Sequence, residues 1–235
     1  MIRDFFEFIV SLLFPKKCVF CNGIIPQNQD ICGECGAYKC IIGNNICERC
    51  GRDIEYCSCG DSALYFDRCI APFYFMDIIR ESMHVFKFRG GRHKAEVFAK
   101  FMSDSVKEKY AGIHFDYIIP VPMYLKKQIK RGYNQSVLLG GFLGKSLEIP
   151  CLNGVLVKIK DMIPQHDLKD ISRFENIAGT FGIENAQLID NKNILLVDDV
   201  LTTGSTLSEC ANLLKSQGAK LVYGVVFSAT KAEKY

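Results

Sequence analysis

One segment constrains the fold of this chain more than any other. An apolar run at residues 194–197 precedes two acidic residues, Asp198 and Asp199, and the sequence Thr-Thr-Gly-Ser-Thr follows at 202–206. Apolar residues then recur at helical spacing up to Gln217. This order predicts a buried strand, a loop and a helix, which is the repeating unit of a parallel α/β sheet. Open sheets of this kind bind ligands beyond the carboxyl ends of their strands, where the acids and hydroxyls fall.

The loop has the chemistry that binds a ribose phosphate. Backbone N–H groups at a helix start form an anion site, and Gly204 permits close approach of a phosphate. The alternative is an Asx turn with a serine cap and no ligand. We favour the ligand site because two adjacent carboxylates are costly without hydroxyl or cationic partners. The predicted contact residues are Val197, Asp198, Asp199, Val200, Leu201, Thr202, Thr203, Gly204, Ser205 and Thr206.

Strand and helix patterns alternate through the rest of the chain after the cysteine-rich start. This alternation predicts an α/β fold with a parallel sheet that helices cover on both faces. The polar residues 161–178 are expected to form an exposed, mobile segment. The predicted strands are 69–75, 115–121, 155–159, 193–197 and 221–227, and the predicted helices are 77–88, 94–109, 133–147 and 205–217.

Ten of the twelve cysteines lie before residue 70, and eight of them form close pairs. Two residues between sulfurs is the spacing of thiolate metal sites. We predict two structural zinc sites with four cysteines each, and a module that folds around the metal. The sequential grouping gives Cys18, Cys21, Cys32 and Cys35 to one site and Cys47, Cys50, Cys57 and Cys59 to the other.

Spacing alone leaves alternatives for this module. An interleaved grouping, in which the first and third pairs share one ion, fits as well, and an iron–sulfur cluster is an alternative occupant. Only Ser58 separates Cys57 from Cys59, a tighter spacing than in the other pairs. Cys40 and Cys69 remain unassigned in the sequential grouping.

The chain divides into three predicted parts: an amphipathic helix at 1–17, a zinc-ribbon-like module at 18–66 and an α/β domain at 67–235. The apolar stretch of the first part is shorter than the roughly 20 residues that a membrane-spanning helix needs. It also lacks the small-residue cleavage site of a signal peptide. Together with thiols kept reduced for metal, these features predict a cytoplasmic protein.

The net charge of +3 is unevenly distributed. Residues 69–176 carry 17 Lys/Arg and 11 Asp/Glu, which is an excess of +6, whereas the flanking segments carry −2 and −1. A basic middle section fits a phosphate-rich partner such as a nucleotide, a pyrophosphate or a nucleic acid. From the counts alone, a solvated basic face explains the excess equally well.

Residues 193–206 resemble the 5-phosphoribosyl 1-diphosphate (PRPP) motif of type I phosphoribosyltransferases. The resemblance implies that Asp198 and Asp199 contact the ribose hydroxyls as catalytic residues, and that 202–206 bind the 5-phosphate. It also implies a pyrophosphate and one Mg²⁺ beside the loop after an earlier strand, with Mg²⁺ held mostly by ligand oxygens and water. Arg131 adds a cation that suits a planar phosphate contact. The predicted pyrophosphate residues are Val121, Pro122, Met123 and Arg131.

Further motifs extend the resemblance over nearly the whole chain. Behind a Cys-pair module, their order resembles the ComF family of competence proteins. The resemblance implies a cytosolic bacterial protein with a phosphoribosyltransferase fold and a link to natural transformation. The motifs are Lys87-Phe88-Arg89-Gly90-Gly91, Pro120-Val121-Pro122, Lys130-Arg131-Gly132-Tyr133-Asn134-Gln135, and the set Gln165, Leu168, Arg173, Asn176, Gly179 and Phe181.

Several of these residues are candidates for contact with nucleic acid or with an acceptor substrate. Cations suit a phosphate backbone, amides offer hydrogen bonds, and Tyr133 is interpreted either as a base-stacking ring or as part of a helix core. The candidates are Lys87, Arg89, Lys130, Tyr133, Asn134, Gln135, Arg173 and Asn176.

Three functions fit the sequence. The favoured one is a protein that binds PRPP with Mg²⁺ and takes part in DNA uptake, with single-stranded DNA and DNA-uptake or DNA-processing proteins as partners. The second is a catalytic phosphoribosyltransferase of nucleotide salvage, which releases pyrophosphate, although no general base is evident. The third is a regulator that senses PRPP without turnover.

Overall fold

The computed structural model describes residues 14–57, 59–60, 64–159 and 179–231. Residues 1–13, which make up most of the N-terminal helix predicted at 1–17, and the exposed segment predicted at 161–178 lie outside these ranges. Within them, no helix is both long enough and apolar enough to cross a membrane.

Strands and helices alternate from Arg68 onwards, and the described residues before it include short 3-10 helices at Ala37–Cys40 and Ile54–Tyr56. Two more 3-10 helices lie at Gly91–Lys94 and Ala186–Leu188. The strands are β1 (Arg68–Ile70), β2 (Phe73–Tyr74), β3 (Tyr117–Pro120), β4 (Leu156–Lys158), β5 (Phe181–Ile183), β6 (Asn193–Leu201) and β7 (Leu221–Ala229). The α-helices are α1 (Asp77–Phe88), α2 (Ala95–Lys109), α3 (Leu125–Arg131), α4 (Gln135–Leu147) and α5 (Ser205–Ser216).

The main sheet is parallel throughout and has the strand order β1-β7-β6-β3. Strand β2 continues along the β1 edge of β7, where Phe73 pairs with Ser228. Strands β6 and β7 are adjacent and joined by α5, which is the strand–helix–strand unit that the sequence predicts. The predicted α/β fold class is therefore confirmed.

Helices cover both faces of this sheet. On one face, α1, α2 and α4 bury Met83, Phe98 and Leu139 against the strands, and on the other face α5 buries Leu207 and Leu214. Because both faces are buried, the central strands are continuously apolar. Glycines make the sequence of α4 a weak helix former, and two of them, Gly140 and Gly144, allow close packing of the helix against residues 149–151.

The structure differs from the sequence prediction in four places. Residues 69–75 form two short strands rather than one, and β6 continues past the two acids to Leu201. Strand β5 was not predicted, and it pairs antiparallel with β4 in a separate small sheet. Helix α3 was also not predicted, because it buries no residue and therefore has no apolar periodicity to read.

The cysteine-rich region is divided here into a first ribbon (residues 16–40) and a second ribbon (residues 41–60). Phe20 of the first ribbon lies in an aromatic cluster with Phe73, Phe98, Phe101 and Phe227 of the α/β domain, at ring-centroid distances of 5.5–6.4 Å. In the second ribbon, Ile42 and Ile46 belong to the apolar cluster on the opposite side of the sheet. The ribbons therefore share the core of the larger domain.

Candidate ribose-phosphate binding site

The two acidic residues lie within the last part of β6, near the carboxyl edge of the sheet. The Asp198 carboxylate accepts hydrogen bonds from the Ser136 hydroxyl and from the backbone N–H of Asp199, both at 2.8 Å. Both donors reach the same oxygen, Oδ1. Ser136 lies in the first turn of α4, so this helix orients the carboxylate.

The Asp198 carboxyl titrates far above its ordinary range. Burial and the negative charge of Asp199 raise its pKa to about 7, although hydrogen bonds from Asp199 N–H and Ser136 and the charge of Lys87 oppose the shift. Hydroxyl donors or a cation supplied by a ligand would favour the ionised form. The site is therefore suited to a ligand that carries hydroxyl groups and positive charge.

Asp199 forms an ion pair with Lys87, which lies near the carboxyl end of α1. The ammonium nitrogen is 2.8 Å from Asp199 Oδ1, and the exposed fractions of the two side chains are 23% and 14%. Lys87 is a predicted candidate for contact with nucleic acid or an acceptor, and in the structure its ammonium group pairs with the predicted ribose-binding carboxylate. It supplies part of the positive charge that two adjacent carboxylates need.

The loop after β6 presents hydroxyl groups and the start of a helix. Thr202 and Thr203 are exposed, and Gly204 has a φ angle of +84°, which disfavours a side chain at that position. The Thr203 and Ser205 hydroxyls are 2.8 Å apart, and the Ser205 N–H donates to Thr203 Oγ1 at 3.3 Å. Helix α5 begins at Ser205, so its N-terminal N–H groups and dipole lie at this loop.

The loop after β3 lies beside these residues, because β3 and β6 are neighbours in the sheet. Val121 N–H donates to the Val197 carbonyl at 2.9 Å. The Asn134 side chain donates to the Val121 carbonyl at 3.1 Å and accepts from the Ser136 N–H at 2.9 Å. Asn134 therefore caps α4 and fixes the predicted pyrophosphate loop, of which Pro122 and Met123 are half-buried.

Tyr133 is part of the core, which is the second of its two interpretations. Its ring is only 7% exposed, and its hydroxyl donates to the Phe86 carbonyl. The exposed aromatic ring nearby is Phe88, which is 61% exposed. The Arg131 guanidinium lies 4.7 Å from the Phe88 ring centroid and donates to Gln135 Oε1 at 2.6 Å.

The remaining candidates divide into two groups. Arg89 and Lys130 are exposed, whereas Gln135 is fully buried and orients Arg131. Arg173 and Asn176 lie outside the described residues.

The eight paired cysteines form two clusters in the sequential grouping. In each cluster the four sulfurs lie within 4.8 Å of one another. A tetrahedral site with zinc–sulfur bonds of about 2.3 Å separates its sulfurs by about 3.8 Å. The distances of 3.9 Å from Cys18 to Cys35 and 3.7 Å from Cys50 to Cys57 fit that geometry. The structure thus favours the sequential over the interleaved grouping.

Three residues near the site were missed by sequence reasoning. Ser136 directly follows the motif that ends at Gln135, and Phe88 lies between two cations, so both had a local signal. Arg52 had none. It extends from the second ribbon to main-chain carbonyls of the loop after β6.

Comparison with known proteins gives two family matches. The model of the phosphoribosyl transferase domain matches residues 134–235. The model of the double zinc ribbon domain matches residues 9–70. The first span contains the loop after β6, and the second contains both cysteine clusters.

Individual proteins are similar over most of the chain. Competence protein F of Haemophilus influenzae is 28% identical over 88% of this chain and 94% of its own length. DNA utilization protein YhgH of Salmonella typhi is 26% identical over 87% of this chain and 86% of its own length. Among solved structures, the adenine phosphoribosyltransferase of Saccharomyces cerevisiae is 16% identical, with a TM-score of 0.38 over 63% of this chain and 73% of that one.

These findings define the class: a protein of the phosphoribosyltransferase fold that carries a double zinc ribbon with structural zinc sites. Within that class, the chain is similar over most of its length to competence protein F and to DNA utilization protein YhgH, at 28% and 26% identity.

Proposed function

We propose that this protein binds PRPP with Mg²⁺ at the carboxyl ends of β3 and β6. One observation carries the proposal: Asp198 and Asp199 directly precede a hydroxyl-rich loop at the N-terminus of α5. In the proposed complex, the carboxylates accept hydrogen bonds from the ribose hydroxyls and residues 202–206 bind the 5-phosphate.

The pyrophosphate and the metal would lie between the two loops. Backbone groups of Val121, Pro122 and Met123 and the Arg131 guanidinium are the proposed pyrophosphate contacts. Carboxylate oxygens at the strand ends are hard ligands that suit Mg²⁺, which would keep most of its bonds to water and phosphate oxygens. A salvage enzyme would turn over the bound PRPP, whereas a regulator would only sense it. An assay of pyrophosphate release in the presence of candidate acceptors distinguishes these two functions, because only the enzyme releases pyrophosphate.

Calorimetric titration of PRPP with Mg²⁺ tests the site. The wild-type protein should bind, and the double variant Asp198→Asn/Asp199→Asn should lose detectable binding while remaining folded. Asp104→Asn is the matched control, since Asp104 is exposed on α2 and should leave binding unchanged. Binding that survives in the double variant would reject this site, and absence of binding in the wild type would reject the proposal.

A second observation favours single-stranded DNA as a partner. Helix α3 contains four cations and no acidic residue in seven positions, and all but its last residue are exposed. The Arg131 guanidinium, at the end of this helix, lies over the exposed ring of Phe88. Cations that follow a phosphate backbone and a ring on which a base stacks are the usual elements of single-strand binding. We propose that single-stranded DNA binds to this surface, and that Arg89 and Lys130 contact the DNA.

Fluorescence anisotropy with a labelled single-stranded oligonucleotide tests this surface. Binding should weaken steeply between about 50 and 200 mM salt. Phe88→Ala should lose about 1–3 kcal/mol of binding free energy, the contribution of one stacked base. Tyr38→Ala, an exposed ring of the first ribbon, is the control. Equal loss in both variants, or none in Phe88→Ala, would contradict the assignment.

The names of the relatives support a role in DNA uptake. One is a competence protein and the other a DNA utilization protein. We therefore propose a cytoplasmic protein that works with DNA-uptake or DNA-processing proteins, since thiolates that bind zinc must stay reduced. Loss of transformation in a strain with the Asp198→Asn/Asp199→Asn variant at normal abundance would support that role, and unchanged transformation would oppose it.

A further inference from the structure

A buried arginine of the second ribbon contacts the loop after β6 from behind. Arg52 is only 4% exposed. Its Nε donates to the Thr230 carbonyl at 2.7 Å, and its Nη2 donates to the Leu201 carbonyl at 3.4 Å and to the Thr202 carbonyl. All three acceptors are main-chain oxygens, so these bonds hold the path of the backbone beside the site.

The backbone of Arg52 is fixed by the second cysteine cluster. It follows Cys50 and Gly51, and its carbonyl accepts from the Cys47 N–H at 2.7 Å. Gly51 has a φ angle of +67°, and a Cβ there would lie 2.2 Å from the Cys69 carbonyl oxygen of β1. The turn that carries Arg52 is therefore bounded by the cysteines on one side and by the main sheet on the other.

Two of the three acceptors of Arg52 lie at the start of the proposed phosphate loop. Leu201 ends β6, and Thr202 begins the segment that leads to the Gly204 turn. The Thr230 N–H also donates to the Leu201 carbonyl at 2.9 Å. Arg52 thereby connects the carboxyl ends of the adjacent strands β6 and β7. This connection lies between the acidic residues at 198–199 and the hydroxyl residues that begin at Thr202. A planar guanidinium with several donors suits such a junction of carbonyls, whereas an ammonium group does not form the same fork.

We propose that Arg52 is a positioning residue through which the second zinc site sets the geometry of the loop at 202–205. Zinc in that cluster fixes the turn, the turn fixes the guanidinium, and the guanidinium fixes the carbonyls of Leu201 and Thr202. The positioning of the loop by Arg52 does not depend on the proposed function. Its consequence, that ligand affinity depends on this zinc site, does rest on the proposed function.

Hydrogen exchange of the full-length, zinc-loaded protein tests the positioning directly. Arg52→Met removes the donors and keeps the stem, so amides of residues 202–205 should exchange about tenfold faster or more, while those of β3 keep their rates. Arg52→Lys retains one donor group and should give an intermediate rate. Arg49→Met is the matched control, because Arg49 lies on the same turn and donates to the Gly60 carbonyl at 3.1 Å.

Zinc content and PRPP affinity complete the test. With two zinc ions retained, Arg52→Met should bind PRPP–Mg²⁺ about tenfold more weakly than wild type, and Arg49→Met should bind as wild type does. If Arg52→Met does not fold, Arg52→Lys decides. Wild-type exchange rates at 202–205 in every folded Arg52 variant would overturn the proposal. If the wild type binds no PRPP, the proposed function fails, and the exchange rates still decide the role of Arg52.

Discussion

The two ribbons dock onto the same domain by different physical means. The first ribbon inserts Phe20 into the aromatic cluster between the sheet and α2. The second ribbon inserts the guanidinium of Arg52 among main-chain carbonyls next to the candidate site. Apolar burial stabilises without strict direction, whereas hydrogen bonds fix distances and angles. We therefore expect the first ribbon mainly to stabilise the fold and the second ribbon mainly to shape the loop at 202–205.

The polar contacts of the first ribbon lead away from that loop. The Val19 carbonyl accepts from the Ser82 hydroxyl at 3.1 Å and from the buried ammonium group of Lys94. Ser82 lies on α1, and Lys94 precedes α2. These bonds attach the first ribbon to the helical layer, so its loss should be felt as global instability.

Loss of one zinc ligand at a time should give the largest effects. Cys35→Ser should lower the free energy of unfolding by more than about 4 kcal/mol, because the first ribbon then has no structural metal to hold Phe20 in place. Cys59→Ser should instead accelerate amide exchange at 202–205 well before global unfolding. Zinc quantitation, denaturant unfolding and hydrogen exchange on the same samples check this. Global destabilisation in Cys59→Ser, with faster exchange at 202–205 in Cys35→Ser, would contradict the proposed difference between the two ribbons.

Phe20→Ala should give the next largest effect. Truncation of this buried ring should lower the free energy of unfolding by about 3–5 kcal/mol, since its aromatic neighbours cannot fill the cavity completely. Tyr38→Ala, on the exposed surface of the same ribbon, should change it by no more than about 0.5 kcal/mol. Urea unfolding measures both. Faster exchange at 202–205 in folded Phe20→Ala would show that the first ribbon also shapes the loop.

The Asp198 carboxyl gives the candidate site a pH dependence opposite in sign to that of Asp30 in the first ribbon, whose pKa is lowered. With a pKa near 7 in the folded protein, Asp198 binds more protons when folded than when unfolded between about pH 4 and 7. Its contribution therefore lowers stability as pH rises through that window. Asp198→Asn should remove this penalty, so the variant should gain stability over the wild type, about 4 kcal/mol at pH 7 and about 0.5 kcal/mol at pH 4.

Thermal unfolding of the ligand-free proteins across this pH range measures that difference. Asp104→Asn, on exposed α2, should follow the wild type at every pH. A constant difference between Asp198→Asn and the wild type would mean that the carboxyl titrates near its ordinary pKa. In that case burial does not dominate the electrostatics of this site.

The loop at 202–206 could be predicted because its signal is local. A strand, two acids, a hydroxyl run with Gly204 and a helix follow one another within 24 residues, from Asn193 to Ser216. The cysteine pairs were equally readable, because two-residue spacing reflects the geometry of a metal site. The sequence did not predict whether the cysteine pairs are grouped sequentially or interleaved, since that depends on how the pairs are brought together in the fold.

Long-range contacts could not be predicted from the same patterns. Arg52 contacts Thr230 across 178 residues, and no periodicity records that partner. The basic motif around Lys87 does not predict its ion pair either, because its partner Asp199 lies 112 residues further along the chain. The burial of Tyr133 and the exposure of Phe88 could not be predicted either, since both rings lie within two residues of a cation in the sequence.

Removal of an ion pair should have the smallest effect on stability. One ion pair in the candidate site and one at the first ribbon allow the two regions to be compared. Lys87→Met in the site and Lys100→Met beside the first ribbon each remove a partner of a carboxylate, Asp199 and Asp30 respectively. Both pairs are partly exposed, so each change should lower the free energy of unfolding by no more than about 1 kcal/mol. Their effects on titration should differ, because the charge of Lys87 lowers the pKa of Asp198.

Carbon-13 NMR of the aspartate carboxyl groups resolves that difference. In Lys87→Met, the titration midpoint of Asp198 should rise above its wild-type value of about 7, because one opposing positive charge is gone. In Lys100→Met, the pKa of Asp30 should rise instead, since Lys100 lowers it in the wild type, and Asp198 should be unchanged. A shift of Asp198 in Lys100→Met would mean that the two regions are electrostatically coupled through the helical layer. An unshifted Asp198 in Lys87→Met would mean that the ion pair with Asp199 leaves its neighbour unaffected.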